Sequence, residues 1–176
     1  LGALAGAGFR LDWLEEHGPD LLAGHREYAE EAVWQSVSAK ARAVEADVTD
    51  RSGVRALLNF GHTFAHAIES AAGLGTILHG EAVAVGMVLA FDLSARLGLC
   101  PHDEAARVRD HLAGAGLPTS LAETAVDRGA LLPLMRTDKK NESGKLRLVL
   151  TRGIGEAFLS EGVEEEVVAE SLAKAA

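Results

Sequence analysis

The sequence lacks most of the features that mark secreted, membrane and nucleic-acid-binding proteins. Cys100 is its only cysteine, so no disulfide can form within the chain, as is typical of a reducing compartment. It contains neither a signal-peptide pattern nor an uncharged apolar run long enough to cross a membrane. The net charge of −9 argues against nucleic acid and anionic membranes as partners. We therefore expect a cytoplasmic protein with no nucleic-acid or membrane partner.

Helical periodicity, interrupted by glycine and proline, dominates what is present. With 176 residues, 48% of them hydrophobic, the chain can bury one core. Leucines at 146, 148 and 150 alternate with other residues, which predicts a strand that pairs with residues 157–160 across Gly153 and Gly155. The fold class is thus mainly α with one small β-hairpin. The predicted helices cover residues 11–22, 27–46, 53–72, 80–97, 103–113, 121–125, 128–135 and 163–173.

The predicted helix 53–72 carries a stripe of polar side chains at steps of four, three, four and three. These are Arg55, Asn59, His62, His66 and Glu69. At about 100° per residue they fall within roughly 80° of arc. The intervening residues are largely apolar, which predicts a buried helix whose polar stripe faces a cavity and needs a metal, a ligand or mutual pairing. For an HxxxH pair alone, a surface helix with histidines by chance is the alternative.

A second polar cluster, His79-Gly80-Glu81, follows a glycine-rich turn and opens the next helix. The turn can fold His79 back toward His62. Neutral imidazoles are good ligands for zinc, and a catalytic zinc typically has three protein ligands and one open position. Two histidines are one ligand short of that set, and His79 could instead be a residue of the helix-capping region.

The stretch RALLNFGHTFAHAIES (55–70), followed by LHGEAVAVGM (78–87), resembles the metal-binding core of 3-dehydroquinate synthase. This family comprises NAD- and zinc-dependent cyclases of the shikimate pathway. The later TDKK (137–140) and KLRLVL (145–150) also resemble the C-terminal part of the family. The resemblance implies a helical C-terminal domain of the dehydroquinate synthase-like fold, which binds metal and substrate, over residues 9–176. Residues 1–8 are then a linker or a truncation remnant, and the N-terminal α/β NAD-binding domain of the family is absent.

The resemblance also implies roles for individual side chains. His62 and His79 correspond to two ligands of a zinc or cobalt ion. Arg55 and Asn59 correspond to residues that contact the phosphate and ring of the substrate. His66 corresponds to a histidine that takes part in proton transfer or phosphate contact.

Lys139 and Lys140 follow the predicted helix 128–135 and have two interpretations. From the residues alone, lysines after a helix are ordinary loop chemistry. The resemblance implies that one or both approach the substrate, where with Arg55 they would supply the positive charge that a phosphate needs in an acidic chain.

The activity that the resemblance implies is a carbon–oxygen lyase reaction of aromatic amino-acid biosynthesis. The substrate is the sugar-acid phosphate 3-deoxy-D-arabino-heptulosonate 7-phosphate, and the products are 3-dehydroquinate and phosphate. The full-length family enzyme uses NAD and usually forms a homodimer. Without the NAD-binding half we expect this chain to be inactive by itself.

The sequence departs from the family pattern at three places. The third zinc ligand of the family is a glutamate in an AEVIKYG-like segment, and the first eight residues, LGALAGAG, contain no acid. Arg51 stands where an acid is expected, and Ala65 replaces the usual glycine of GHTxGH.

Three alternatives therefore remain open. The first is another sugar-phosphate cyclase such as 2-deoxy-scyllo-inosose synthase. The second is a metal-dependent alcohol dehydrogenase of the same superfamily, which the two motifs fit less well. The third is a degenerate, non-catalytic metal-binding or dimerisation module.

Overall fold

The computed structural model describes residues 11–47, 53–73, 75–138, 145–160 and 162–175. Within these ranges the chain forms seven α-helices, two short 3-10 segments and four short strands, which confirms the predicted mainly α class. The helices are α1 (Leu11–Leu22), α2 (Arg26–Ala46), α3 (His62–Ala72), α4 (His79–Arg96), α5 (His102–Gly114), α6 (Arg128–Asp138) and α7 (Glu165–Lys174). The 3-10 segments are Arg55–Asn59 and Leu121–Thr124, and the strands are β1 (Lys145–Leu146), β2 (Val149–Thr151), β3 (Ala157–Leu159) and β4 (Val163–Glu164).

Helix α4 forms the centre of the core. Its sequence is apolar around most of its circumference, and such a helix must be covered on several sides. It contacts α3, α5, α7 and β2, and α3 packs in turn against α6. Val85, Ala90 and Leu93 of α4 are completely buried. None of the helices in the described part of the chain is long and apolar enough to cross a membrane.

The predicted continuous helix over residues 53–72 is wrong. The segment Arg55–Asn59 is 3-10, and α3 begins only at His62. Gly61, the residue before α3, has a φ of +80°, a left-handed conformation that glycine adopts without steric cost. The break lets Phe60 leave the helical path, so that its ring packs edge-on against Phe91 of α4 with centroids 5.2 Å apart. Burial of this ring in the core is the physical reason for the interruption.

Gly61 also brings the backbone at the start of α3 against the backbone of α4. A Cβ atom added to Gly86 would lie 2.3 Å from the carbonyl oxygen of Gly61, and one added to Gly61 would lie 2.6 Å from the backbone nitrogen of Met87. Both distances are too short for any side chain, so the two backbones touch directly. The same Gly61 oxygen accepts a hydrogen bond from the N–H of Ala65 at 3.0 Å, which joins the contact to the first turn of α3.

The predicted β-hairpin is present as β2 and β3. They pair antiparallel, with Val149 opposite Leu159, and the hairpin joins α4 because the N–H of Thr151 donates to the hydroxyl of Ser94 at 3.1 Å. A second pair, β1 with β4, was not predicted. The predicted single strand through 145–150 divides because the N–H of Leu148 donates to the Ser160 hydroxyl at 3.0 Å instead of to a backbone carbonyl.

We predict that Gly86→Ala lowers the free energy of unfolding by about 2 kcal/mol or more, since overpacking forces a tightly packed backbone to shift. Gly80→Ala on the same helix is the matched control, because a Cβ atom there would meet nothing within 4 Å. The control should be neutral, or up to about 1 kcal/mol more stable because alanine favours helix. Urea unfolding of the chain measures both values, and equal midpoints for the two variants would contradict the backbone contact.

Candidate metal centre

One face of α3 carries three of the predicted site residues. His62, His66 and Glu69 are four and three residues apart, so they lie on the same side of the helix. The opposite side is apolar and buried, with Phe64 at 3% and Ile68 at 0% exposure. The packing of this apolar side fixes which way the polar face points.

The glycine-rich turn after α3 brings His79 to this face, as predicted. Gly73 and Gly75 in this turn have φ values of +86° and +77°, and α4 begins at His79. The ring centroids of His62 and His79 lie 5.5 Å apart, and His66 lies 5.8 Å from His62 and 6.4 Å from His79. Three imidazoles and the Glu69 carboxylate therefore meet at one end of the α3–α4 pair.

Both His62 and His79 use Nδ1 in a hydrogen bond. His62 Nδ1 lies 3.3 Å from the carbonyl oxygen of Phe60, and His79 Nδ1 lies 3.1 Å from Glu69 Oε1. A carbonyl and an ionised carboxylate can only accept, so Nδ1 carries the proton in each ring. This tautomer leaves the Nε2 lone pair available to a metal, as in the ligand arrangements of many metalloproteins.

The alternative role of His79 as a capping-region residue is not supported. His79 is the first residue of α4, but the N–H of Leu78 at this helix start donates to Glu81 Oε2 at 3.0 Å. Glu81 thus performs the capping, and the His79 ring turns toward α3 instead.

The predicted burial of the polar stripe is wrong. Asn59 and His66 of the stripe are exposed, and Arg55, His62 and Glu69 are only partly buried, with the Glu69 side chain 32% exposed; the His79 side chain beside them is 57% exposed. The apolar side of α3 is in the core and its polar side is open. The argument that buried polar groups require a ligand therefore does not apply here, and the case for a metal depends on the geometry of the two histidines.

His62 is the most enclosed of the three imidazoles. Partial burial lowers its pKa, and the neighbouring rings of His79 and His66 act in the same direction, although the Phe60 carbonyl and Glu69 oppose them. A lowered pKa keeps the ring neutral at pH 7, and the neutral form is the one that binds metal.

The pair formed by His62 and His79 fits a shared ion. Two imidazoles that bind one tetrahedral zinc through ring nitrogens have centroids roughly 5 Å apart, and here the distance is 5.5 Å. Among the residues that the structure describes, no three His, Cys, Asp or Glu side chains are arranged to hold a metal ion. The two histidines are thus suited to be part of a ligand set.

The other predicted site residues lie off this helix or outside the described residues. Arg55 and Asn59 are on the first 3-10 segment, which contacts α2, β2 and β3, and not on the helix of His62. Lys139 and Lys140, together with residues 1–8 and Arg51, lie outside the described residues.

Sequence reasoning missed the specific contacts made by two groups. It placed Glu69 on the stripe without giving it a partner, and it gave no role to the carbonyl of Phe60. The signal for Glu69 was its position seven residues after His62, on the same face of the helix. The role of Phe60 had no signal, because it arises from the break at Gly61.

Comparison with known proteins gives a consistent result. The family model described as 3-dehydroquinate synthase C-terminal matches residues 2–141. The 3-dehydroquinate synthase of Ruegeria sp. (strain TM1040) is 49% identical over an alignment of 178 residues, gaps included, which covers 99% of this chain and 47% of the relative. That of Rhodospirillum rubrum is 53% identical over 154 residues, or 85% of this chain and 40% of the relative. The chain spans about half the length of the curated relatives it matches.

Two solved structures share the fold. The 2-epi-5-epi-valiolone synthase of Streptomyces hygroscopicus, with NAD+ and Zn2+ bound, superposes with a TM-score of 0.77 at 28% identity, covering 92% of this chain and 44% of that one. A 2-deoxy-scyllo-inosose synthase complexed with carbaglucose-6-phosphate, NAD+ and Co2+ gives a TM-score of 0.67 at 26% identity, covering 80% of this chain and 40% of that one.

We predict that His62 titrates below the ordinary imidazole value of about 6.5 in the metal-free chain. Because the unfolded chain then binds the proton more readily than the folded one, the contribution of His62 to stability is complete above pH 6.5 or so and is lost as the pH falls through the lowered folded pKa. NMR titration of the ring measures the midpoint, and urea unfolding at pH 7.5 and 5.5 measures the effect on stability.

His62→Gln is the comparison variant, since glutamine does not titrate. It should lose less stability than the wild type between the two pH values. An equal loss in both proteins, or a His62 midpoint at or above the ordinary value, would contradict the prediction.

Proposed function

Since the chain belongs to the 3-dehydroquinate synthase C-terminal family, we propose that it is the metal- and substrate-binding part of a 3-dehydroquinate synthase. The enzyme would be a lyase of the shikimate pathway that converts 3-deoxy-D-arabino-heptulosonate 7-phosphate to 3-dehydroquinate and phosphate. The domain would extend over residues 9–176, with residues 1–8 as the connection to the rest of the enzyme. The observation that carries the proposal is the pair His62 and His79, with centroids 5.5 Å apart and both Nδ1 atoms engaged.

The metal would be zinc or cobalt, held by Nε2 of His62 and of His79. A catalytic zinc usually has three protein ligands. We propose that the third lies beyond the described residues. In the described part, two histidines fit a shared ion, but no set of three side chains is arranged to hold one. When bound, such an ion polarises substrate hydroxyls as a Lewis acid.

His66 would act beside this pair as a proton-transfer group or phosphate contact. Its ring lies 5.8 Å from that of His62 and is exposed, so a substrate bound at the metal can reach it. An imidazole exchanges protons near neutral pH, which suits it to general acid–base work.

Arg55 and Asn59 would contact the phosphate and the ring of the substrate, and Lys139 and Lys140 would add positive charge. A guanidinium binds phosphate with two parallel hydrogen bonds, and cations beside the phosphate stabilise it as it leaves as an anion. These four roles follow from the family motif.

NAD would be bound outside this chain, by the other part of the enzyme. When bound, it supplies the transient oxidation of a substrate hydroxyl that acidifies the adjacent C–H bond. The role of this chain is then to hold the substrate by its hydroxyls and phosphate while the proton and the phosphate depart. We further propose that the enzyme is cytoplasmic and homodimeric, as is usual in the family.

A second candidate is another sugar-phosphate cyclase, such as 2-deoxy-scyllo-inosose synthase. The similarity of fold to two cyclases of this kind favours it, whereas the 49% and 53% identities to 3-dehydroquinate synthases favour the first. Turnover of the two substrates by the intact enzyme would separate them. A non-catalytic metal-binding or dimerisation module would bind zinc and turn over neither substrate.

We predict that His62→Ala and His79→Ala each abolish stoichiometric zinc binding in the intact enzyme, because each removes one of three protein ligands. His66→Ala is the matched control on the same face. It should retain zinc and lose turnover, since its role is in the chemistry and not in holding the ion. Metal content by elemental analysis after gel filtration gives the result, and the proposal fails if both ligand variants keep one zinc per chain.

A further inference from the structure

We propose that Glu69 is a positioning residue for the metal site, which fixes the tautomer and orientation of the His79 ring. This inference rests on the proposed function, because it assigns His79 to a metal. Glu69 itself would not touch the ion or the substrate. Its carboxylate would act through the hydrogen bond of 3.1 Å between its Oε1 and Nδ1 of His79.

His79 needs such a partner because its ring is largely open to solvent, and the neighbouring rings of His62 and His66 do not by themselves select a tautomer. Its side chain is 57% exposed, and it is the first residue of α4. The next residue is Gly80, where a Cβ atom would meet nothing within 4 Å, so the start of this helix stands open. An exposed imidazole in such a place rotates freely and exchanges between its two tautomers unless a hydrogen bond selects one.

Glu69 is well placed to supply that bond. It follows Ile68, which is completely buried, and the backbone oxygen of Glu69 accepts the N–H of Gly73 at 3.1 Å. Its backbone is thus held by the last turn of α3, and its side chain reaches across to the start of α4. His62 has an equivalent partner in the carbonyl of Phe60. Each of the two proposed ligands therefore has an acceptor on Nδ1, one from the backbone and one from a carboxylate.

The carboxylate has a chemical effect as well as a geometric one. An anion that accepts the Nδ1 proton makes the opposite nitrogen a better electron donor to a metal, and loss of such a partner typically weakens metal binding by about 10- to 100-fold. As an exposed contact between two side chains, by contrast, this hydrogen bond would contribute little to folding stability. Metal affinity and stability should therefore respond very differently to removal of the carboxylate.

The chain offers a matched control in Glu81. Its carboxylate also lies at the start of α4, where it accepts the N–H of Leu78 at 3.0 Å. Glu81→Ala loosens the helix start without removing the partner of the His79 ring. Any effect that depends only on the integrity of this helix start should appear in Glu81→Ala as well as in Glu69→Ala.

The test uses the intact enzyme, stripped of its metal, with Co2+ alone as the probe. Long-range 1H–15N NMR at pH 8 without metal reports the His79 tautomer, and a Co2+ titration gives the dissociation constant. We expect the Nδ1–H tautomer in the wild type. Glu69→Ala should lose this preference and bind Co2+ about tenfold more weakly or worse. Glu69→Gln, which keeps an acceptor oxygen without the charge, should retain the tautomer and bind with intermediate affinity.

The remaining outcomes separate the two proposals. Glu81→Ala should keep the tautomer and weaken Co2+ binding less than Glu69→Ala does, and equal losses in the two variants would overturn the positioning role. Binding of Co2+ by the wild type, together with an unchanged tautomer and affinity in Glu69→Ala, would overturn it while leaving the proposed metal site intact. A wild type that binds no Co2+ at all would overturn the metal assignment and the positioning role together.

Discussion

The arrangement of the site depends on the direct backbone contact between Gly61 and Gly86. This contact sets the distance between α3 and α4, and it also sets their register. His62 immediately follows Gly61, while His79 precedes Gly86 by seven residues, or about two helical turns, on the same side of α4. Fixing the two glycines against each other therefore fixes the starting points of both histidine side chains. The left-handed conformation of Gly61 further directs the Phe60 carbonyl to His62 Nδ1.

In the α3–α4 pair, the residues that stabilise the fold and the residues of the candidate site lie on opposite faces. The apolar side of α3 and most of α4 are buried and hold the helices together, whereas the imidazoles and Glu69 lie on the open side. His66 and His79 are thus exposed to solvent, whereas His62 is partly buried and carries some of the desolvation penalty of a buried group. Their positions are determined by the buried faces, and their orientations by hydrogen bonds at Nδ1.

Much of the fold could be predicted from the sequence because strong helical periodicity and clear breakers coincide. The predicted limits 11–22 match α1, and the proximity of His79 to His62 followed from the glycine-rich turn. The prediction of a continuous helix over 53–72 was wrong because hydrophobic periodicity gives no sign of the left-handed backbone conformation at Gly61. The prediction that the polar stripe is buried was wrong because periodicity shows which residues share a face but not whether that face is covered. The divided strand could not be foreseen, since it depends on a single hydroxyl, that of Ser160.

The turn between α3 and α4 has a consequence for the order in which the chain can come together. The bond between Glu69 and His79 joins residues only 10 apart in sequence, whereas the bond between Ser94 and Thr151, which attaches the hairpin to α4, spans 57. The loop-closure entropy alone makes the free energy of forming the Ser94–Thr151 connection less favourable than that of the Glu69–His79 connection by about 1.5 kcal/mol. The face that carries His62 and His79 is therefore a local structure: the two histidines can meet once the α3–α4 pair forms, before the C-terminal third of the chain has docked.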